Sequence, residues 1–452
     1  MFWNAKFPNF SNSIHREELL DVAIIGGGIT GLSTAYYLKD SNLKIGLFDK
    51  GKLGMGVTSK TTAKITYLQG DIYQRLGKKA KKYYDSQKDA ISEIVRIVKQ
   101  EDISCDLEKV SSILFTIDEN NIDKIHKERS LIEEFGCKTF DVVDKRVQSA
   151  FSVEDTYVFH PLKFLVGISK TLVDKMSIYE DCLVENIKKC NDWYLLSTKN
   201  GCFKARDVII CCHYPFFLYP NYFPLKTYIQ REYVNVGKID VKDVSTNYSA
   251  VNIDKELHSI RYYKDYVIYG SNKHRLTNEI DYGRNHRKSI EDFRNYFKVP
   301  VLYTWMNQDI ISHDLLPFIG RIDNHLFVGC AYRAWGMTNG VLAGKILSDL
   351  LLHRKNKYSS LFDPRRASFK LYTNSFLGTF HYIKVYAESL WKKNNPSYIR
   401  INGVLYAIYK DKEGEFHKIC LLCPHMKCNL VFNSYDETWD CPCHGSRFDL
   451  DG

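Results

Sequence analysis

Near its C-terminal end the chain reads Cys423-Pro424-His425-Met426-Lys427-Cys428, answered by Cys441-Pro442-Cys443-His444-Gly445-Ser446. Thiols and imidazoles grouped in this way imply a metal centre. A C-x-H pair followed by a C-x-x-H pair supplies two thiolates for one iron and two imidazoles for another, the donor set of one kind of [2Fe–2S] centre. On that reading Cys423 and Cys441 bind the first iron, and His425 and His444 the second. Zinc is the competing occupant of any such set, although zinc fingers favour C-x2–4-C and H-x3–5-H spacings.

A second chemical signature lies near the start. The β-rich run Asp21-Val22-Ala23-Ile24-Ile25 feeds into Gly26-Gly27-Gly28-Ile29-Thr30-Gly31 and then a helical stretch through Leu38. Strand, glycine turn and helix in this order bind a dinucleotide. Gly26 permits the tight turn, Gly28 lets the backbone approach a pyrophosphate, and Gly31 lets the helix pack on the strand. Ile29 and Thr30 open the helix, whose N-terminus faces the phosphates. A second strand, Lys44 to Phe48, ends in Asp49 and Lys50, about twenty residues beyond the turn, where a carboxylate would accept ribose hydroxyls. The fingerprint alone does not choose between NAD and FAD.

The segment from Gly51 to Lys64 is rich in small and hydroxyl residues, including Thr58, Ser59, Thr62 and Ala63, that can lie along an extended cofactor. It resembles the stretch after the second strand in the D-amino-acid-oxidase-like family of FAD-dependent oxidoreductases, which includes glycine and sarcosine oxidases. Further stretches are similar to that family. Leu183 to Ile187 resembles the strand whose valine, here Val184, meets the adenine end of the cofactor. Asp207 to His213 resembles the apolar strand that closes on FAD, with Cys211 and Cys212 in place of small residues; they also read as core cysteines. From His313 to Gly340 a strand, a turn and a helix resemble the family's closing segment. The resemblance implies that Gly336, Met337 and Thr338 touch the flavin ring, and that Arg333 holds a substrate carboxylate, tunes the flavin, or serves in an ion pair.

Between roughly Phe216 and Tyr303 the pattern turns to aromatic-rich, alternating strands such as Tyr228 to Val234, which predicts an antiparallel sheet with one covered face. In the resembled family such a sheet roofs the flavin. Arg231, Arg261 and His274 lie in it, as structural residues or as a carboxylate clamp.

The tail resembles a Rieske domain in its ligand spacing. That resemblance implies a loop-bridging disulfide between Cys428 and Cys443, and a Ser446 hydroxyl bonded to a cluster sulfide. Lys427 departs from it, standing where glycine is usual. Rieske domains normally continue through a further strand and a proline loop that cover the cluster, so residues 396–452 are expected to form a partial, incomplete domain.

The elements that must position these residues follow. Residues 1–20 are read as an N-terminal extension and 21–365 as the flavoprotein body. Its FAD-binding parts span about 21–110, 145–215 and 305–355, and its substrate sheet 216–304. Residues 366–395 form a helical connector. The expected fold class is an α/β (α+β) Rossmann-like FAD domain with an antiparallel-sheet substrate domain, followed by a small all-β module. The chain has 452 residues, 44% of them hydrophobic, ample for several cored units. The net charge of +10 is dispersed, and runs such as Lys78 to Lys82 read as a solvated helix face, with no nucleic-acid motif beside them. No apolar run is long enough for a membrane span, and Met1 to Leu20 lacks the segments of a signal peptide. A cytoplasmic protein with mostly reduced thiols is therefore expected.

The functional expectation is an FAD-dependent oxidoreductase that takes a hydride from an amine or amino acid and passes electrons to a Rieske [2Fe–2S] cluster, then to an unidentified acceptor. The alternative is a flavin and iron–sulfur relay or redox sensor without a small-molecule substrate.

Overall fold

The computed structural model describes residues 1–10, 19–199, 201–215, 223–240, 247–276, 281–366, 397–424, 427–442 and 446–452. The helical connector expected at 366–395 lies outside them beyond Arg366, as do the ligand candidates His425 and His444 and the disulfide candidate Cys443.

Two sheets build the body. In the first, Leu19–Ile25 lies between two parallel neighbours, Ile45–Phe48 on one side and Gly201–Ile210 on the other. Ser177–Tyr179 extends the first side, and Leu326–Cys330 with Phe318–Asp323 the second. These strands are apolar on both faces because both are covered, one by the helices Ile29–Leu38 and Gly336–Leu351 and the other by the strands Val184–Cys190 and Trp193–Thr198, which is why they read as continuous hydrophobic runs. Chain order reverses at Leu19–Ile25, so the carboxyl ends of that strand and of Gly201–Ile210 open the crevice in which α/β sheets bind ligands.

The helix Ile29–Leu38 lies over this crevice and is buried almost throughout. It crosses the helix Gly336–Leu351 closely. A Cβ at Gly344 would come within 2.6 Å of Ser33 Cβ, and one at Gly340 within 2.7 Å of Ile29 Cγ2. Two missing side chains thus let the cofactor-facing helices meet.

The second sheet has nine strands. Its order runs Tyr303–Ser312, Thr227–Lys238, Tyr266–Arg275, His258–Tyr263, Tyr248–Asn252, Glu108–Thr116, Ser149–Val158 and Lys64–Ile65, with Thr139–Asp141 on Ser149–Val158. It is antiparallel except where Tyr248–Asn252 pairs with Glu108–Thr116. Strands drawn from residues 64–158 therefore complete the sheet expected from 216–304 alone. The reason is long-range pairing: Glu108–Thr116 has Ser149–Val158 on one side and Tyr248–Asn252 on the other, and short-range alternation does not report such partners.

The first ten residues are not a loose extension. Trp3 is 1% exposed, donates its indole N–H to Thr61 O at 2.7 Å, and packs edge-on against Tyr263.

The C-terminal unit is all β, with two three-stranded sheets: Ser397–Ile401, Val404–Lys410 and Phe416–Cys420, then Val431–Asn433, Thr438–Asp440 and Arg447–Phe448. Asn402 and Gly403, at φ 49° and 81°, make the tight turn that the Asn-Gly pair signals. Trp439, Leu421 and Leu430 pack with Cys423, Cys428 and Cys441 in its core.

A Cβ at Gly31 would sit 1.8 Å from Gly26 O, closer than any relaxation of a backbone atom can absorb. Gly31→Ala is therefore expected to yield protein that does not hold FAD, seen as loss of the flavin absorption band after purification, with a lowered thermal unfolding midpoint.

Candidate functional site

The glycine turn runs directly into its helix. Gly26 is at φ 109°, in the left-handed region, and an added Cβ would meet Cys211 O at 2.8 Å. Gly28 is the helix N-cap and offers no side-chain cap. Most first-turn N–H groups thus stay available to an anion, while Ile29 N donates to Thr58 Oγ1 at 3.2 Å. Asp49 accepts from Gly27 N at 2.7 Å and Gly51 N at 2.9 Å. Burial pushes its carboxyl up, against the lowering effect of those two donors. Lys50 beside it is exposed. Cys211 hydrogen-bonds through its N–H to Ile25 O, locking the two crevice strands. Burial raises both the Cys211 and Cys212 thiols, the second to about 12, so both are protonated core thiols. Val184 is buried at the start of its strand.

The segment after Asp49 is clamped in place. Ser59 Oγ caps backward onto Gly56 O. Arg261, fully buried, donates to Thr62 O at 2.6 Å, to Ala63 O at 3.0 Å and to Phe159 O at 2.7 Å, with Trp3 over its guanidinium. Its guanidinium thus ties the backbone at Thr62 and Ala63 to that at Phe159, a structural role.

On the other side of the crevice the backbone is strained. Ala331, Arg333 and Ala334 have φ of 64°, 54° and 66°. Non-glycine residues in the left-handed region cost about 1–2 kcal/mol each, and such strain gathers where a loop must present its N–H groups. The helix Gly336–Leu351 follows, again without a side-chain cap at Trp335, so the N–H groups of Gly336, Met337 and Thr338 face outward from its first turn. These uncapped termini, with the close glycine turn, fit a dinucleotide such as FAD. The Thr338 side chain turns inward, donating to Gln87 Oε1 at 2.8 Å within a buried network of Gln69, Tyr83 and Asn339. Arg333 donates Nη2 to Gln69 O at 2.8 Å.

Sequence reading did not single out the polar groups on the sheet face beside this loop. Lys64 Nζ donates to Ala250 O at 3.1 Å and to Ser259 Oγ, and burial lowers its pKa to about 7. Asp309 accepts from the backbone N–H of Ala334, and burial with the nearby Glu232 carboxylate pushes it up to about 7. Glu232, Asp309 and Lys273 form a charged group there. Polar residues at every second position, Gln230 with Glu232 and Asn307 with Asp309, were the available signal.

The opposite face of the same sheet carries the C-terminal unit. Arg231, buried, meets Asp440 Oδ2 at 2.7 Å and Gln308 Oε1 at 2.9 Å. Asp440 also accepts from Asn433 at 3.1 Å, Thr438 at 2.9 Å and Arg447 at 3.1 Å. Tyr435 packs on His286 with ring centroids 3.7 Å apart. His274 stacks near Tyr233. Asp440 precedes Cys441, which is fully buried and whose N–H donates to Ser446 O at 2.7 Å. In the partner loop Cys423 N donates to Cys428 O and Lys427 N to Cys423 O, each at 2.9 Å. Lys427 is at φ 56°, a conformation that suits glycine. Cys423 and Cys441 form no disulfide, whereas Cys428 is disulfide-bonded. Two buried cysteines in one core cluster, each on a loop braced by its own backbone hydrogen bonds, fit a metal cluster.

A switch-point crevice with a glycine turn, roofed by a large sheet and carrying a cysteine-rich β unit, defines a flavoprotein of the oxidoreductase class with an appended iron–sulfur-type module. The chain belongs to the FAD dependent oxidoreductase family, whose model matches residues 21–350, and residues 381–452 match the Rieske [2Fe-2S] domain. It is similar along its whole length to YhfW of Bacillus subtilis (strain 168), provisionally named a Rieske 2Fe-2S iron-sulfur protein, at 28% identity and covering 94% of that protein. It is also similar to the gamma-glutamylputrescine oxidoreductase of Escherichia coli (strain K12), at 20% identity over 77% of this chain and 86% of that one. Glycine oxidase from Geobacillus kaustophilus has the same fold, with TM-score 0.64 and 16% identity, covering 77% of this chain and 99% of its own. Among the described residues no helix is long and apolar enough to cross a membrane.

Two outcomes follow from these contacts. Removing one partner of a buried ion pair costs about 3–5 kcal/mol. Arg231→Ala should therefore loosen the C-terminal unit, read as faster limited proteolysis there while the body resists. Lys64 has a folded pKa below its unfolded value, so between about pH 7 and the ordinary lysine value of 10.5 the unfolded chain holds the extra proton and stability rises with pH. Lys64→Met should remove up to about 1.4 kcal/mol per pH unit of that rise, measured by denaturant unfolding across the window.

Proposed function

We propose that this chain is a dehydrogenase that oxidises the C–N bond of an amine or amino acid and delivers the electrons to a Rieske [2Fe–2S] centre. The ligands are Cys423 and Cys441 on one iron and His425 and His444 on the other, with Cys428 and Cys443 paired across the loops. The observation that carries the reading is the buried Arg231–Asp440 contact, which anchors the residue beside Cys441 to the sheet whose other face meets the flavin loop.

When bound, FAD supplies hydride acceptance at N5 and the cluster supplies one-electron transfer. The chain's own groups do the positioning. Gly26, Gly28, Ile29, Thr30 and Gly31 present the helix N-terminus to the pyrophosphate, and Asp49 meets the adenosine ribose. Thr58, Ser59, Thr62 and Ala63 line the cofactor, with Val184 and Cys211 at its adenine side. The N–H groups of Gly336, Met337 and Thr338 favour negative charge on the flavin pyrimidine. The neutral amine would lose a hydride from its α-carbon to leave an iminium ion, which water hydrolyses to a carbonyl product and an ammonium ion. A one-electron outlet favours a dehydrogenase over an oxygen-consuming oxidase.

Protein purified without oxygen is expected to contain iron and acid-labile sulfide in equal amounts and to give a low-temperature EPR signal on reduction. Full FAD occupancy without iron would sink the cluster assignment. Anaerobic addition of amines and amino acids should bleach the flavin band with at least one compound. Reduction only by a protein donor or a nicotinamide would replace this reading with an electron relay.

A further inference from the structure

Beside the flavin loop, the sheet face carries more positive groups than its carboxylates balance. Strand register sets Arg275 opposite Gln230, and Gln230 opposite Asp309, so all three share the face on which Glu232 also stands. Lys273 lies close enough to Glu232 and Asp309 to feel both charges. Lys64 draws on Glu232 as well, while its ammonium holds Ala250 O and Ser259 Oγ. The Arg333 guanidinium reaches Gln69 O through Nη2, and its buried Nε has no partner among the described residues. Asp71, a carboxylate that bears on Arg333, is already paired with Arg75 at 3.5 Å. Lys64, Lys273, Arg275 and Arg333 thus outnumber Glu232 and Asp309, and burial with Glu232 pushes Asp309 itself up to about 7.

Arg275 is the cation with least compensation. Among the described residues it meets no carboxylate and donates no side-chain hydrogen bond, and its guanidinium carbon stands 4.9 Å from the centre of the Tyr228 ring. A guanidinium over an aromatic ring keeps its N–H fork free at the edge, in the geometry that receives a carboxylate bidentately. Tyr228 also bears on Arg333, so one phenol links the two guanidinium groups. The Arg275 and Lys273 side chains are exposed and open to a ligand. Neighbouring protein nonetheless disfavours both charges: burial lowers each group, and at Lys273 the Arg333 and Arg75 cations oppose the help of Glu232 and Asp309.

We propose that Arg275, with Lys273 adding charge two residues before it, binds a carboxylate of the substrate away from the reacting C–N bond, and that the substrate is an amine bearing two carboxylates. This rests on the amine-oxidation reading and names its substrate class. One carboxylate takes the Arg275 fork, and the other takes the unpartnered Nε–H of Arg333. Neither Glu232 nor Asp309 bears on Arg275, so a carboxylate there escapes their repulsion. Two negative charges offset the cationic excess, and the amine itself stays neutral, as the hydride step requires.

The probes are sodium butyrate and the disodium salts of succinic, glutaric and adipic acids, titrated calorimetrically into the FAD-loaded full chain. At least one dicarboxylate should bind roughly 10-fold or more tightly than butyrate, the worth of a second charge-assisted contact. Arg275→Gln should weaken that dicarboxylate roughly 10- to 100-fold and leave butyrate, which needs one site, little changed. The flavin spectrum and thermal unfolding midpoint show whether this variant is intact; if it is not, Lys273→Gln carries the comparison, with a smaller loss in the same direction. Dicarboxylates that bind no more tightly than butyrate overturn the proposal. So does unchanged dicarboxylate binding in the intact variant, or an equal loss for butyrate, which marks a general change of charge. Bleaching of the flavin by amines without any dicarboxylate preference would keep the amine-oxidation reading and overturn this one. A dicarboxylate preference that is lost in the variant, with no amine or amino acid able to bleach the flavin, would support the subsite and overturn the oxidation reading.

Discussion

The contact between Arg231 and Asp440 fixes how the two halves of this protein relate. Both side chains are buried, and the carboxylate is saturated by donors from its own unit and from the sheet beneath. A buried ion pair adds little net stability, because desolvation offsets most of the Coulomb attraction. What it adds is a penalty for every other arrangement, since an unpaired charge would remain inside. Arg231 sits one residue from Glu232, so one strand presents its docking group on one face and a carboxylate on the other. The C-terminal unit and the charged group of Glu232, Asp309 and Lys273 are thereby registered through a single backbone.

The cofactor side follows a different principle. Its donors are backbone N–H groups left uncapped at two helix starts, and its cost is paid in dihedral strain at Ala331, Arg333 and Ala334. The network of Gln69, Gln87, Tyr83, Thr338 and Asn339 holds the second helix start from behind with neutral hydrogen bonds. Polar networks with their partners in place rigidify a site without adding charge to it. Charge is concentrated instead on the sheet face opposite, where Glu232, Asp309 and Lys273 stand.

The parts of this site that were legible in the sequence are those written locally. The glycine turn, its strand and helix, Asp49 and the Asn402-Gly403 hairpin all depend on neighbours within a few residues, and alternation exposed the aromatic strands. Lys427 stood out as a departure, though only the backbone shows that it occupies a left-handed position. The docking pair and the charged group of Glu232, Asp309 and Lys273 were not legible, because each needs the register between strands far apart in the chain. Thr338 illustrates the limit: its place in the helix turn was readable, but the inward turn of its side chain depends on Gln87. Trp3 was missed for the same reason, its partners being Thr61, Tyr263 and Arg261.

The seating of Trp3 also bears on the order in which this chain can fold as it is synthesised. The residue is synthesised long before the ring and guanidinium that enclose it, which come from the middle of the sheet. Until then an indole that ends up almost wholly buried has no pocket, and the cofactor segment at Thr61 lacks its cover. The nascent chain therefore has to keep this indole soluble until Arg261 and Tyr263 have been made, which makes the stretch around Trp3 a place where chaperone capture would matter.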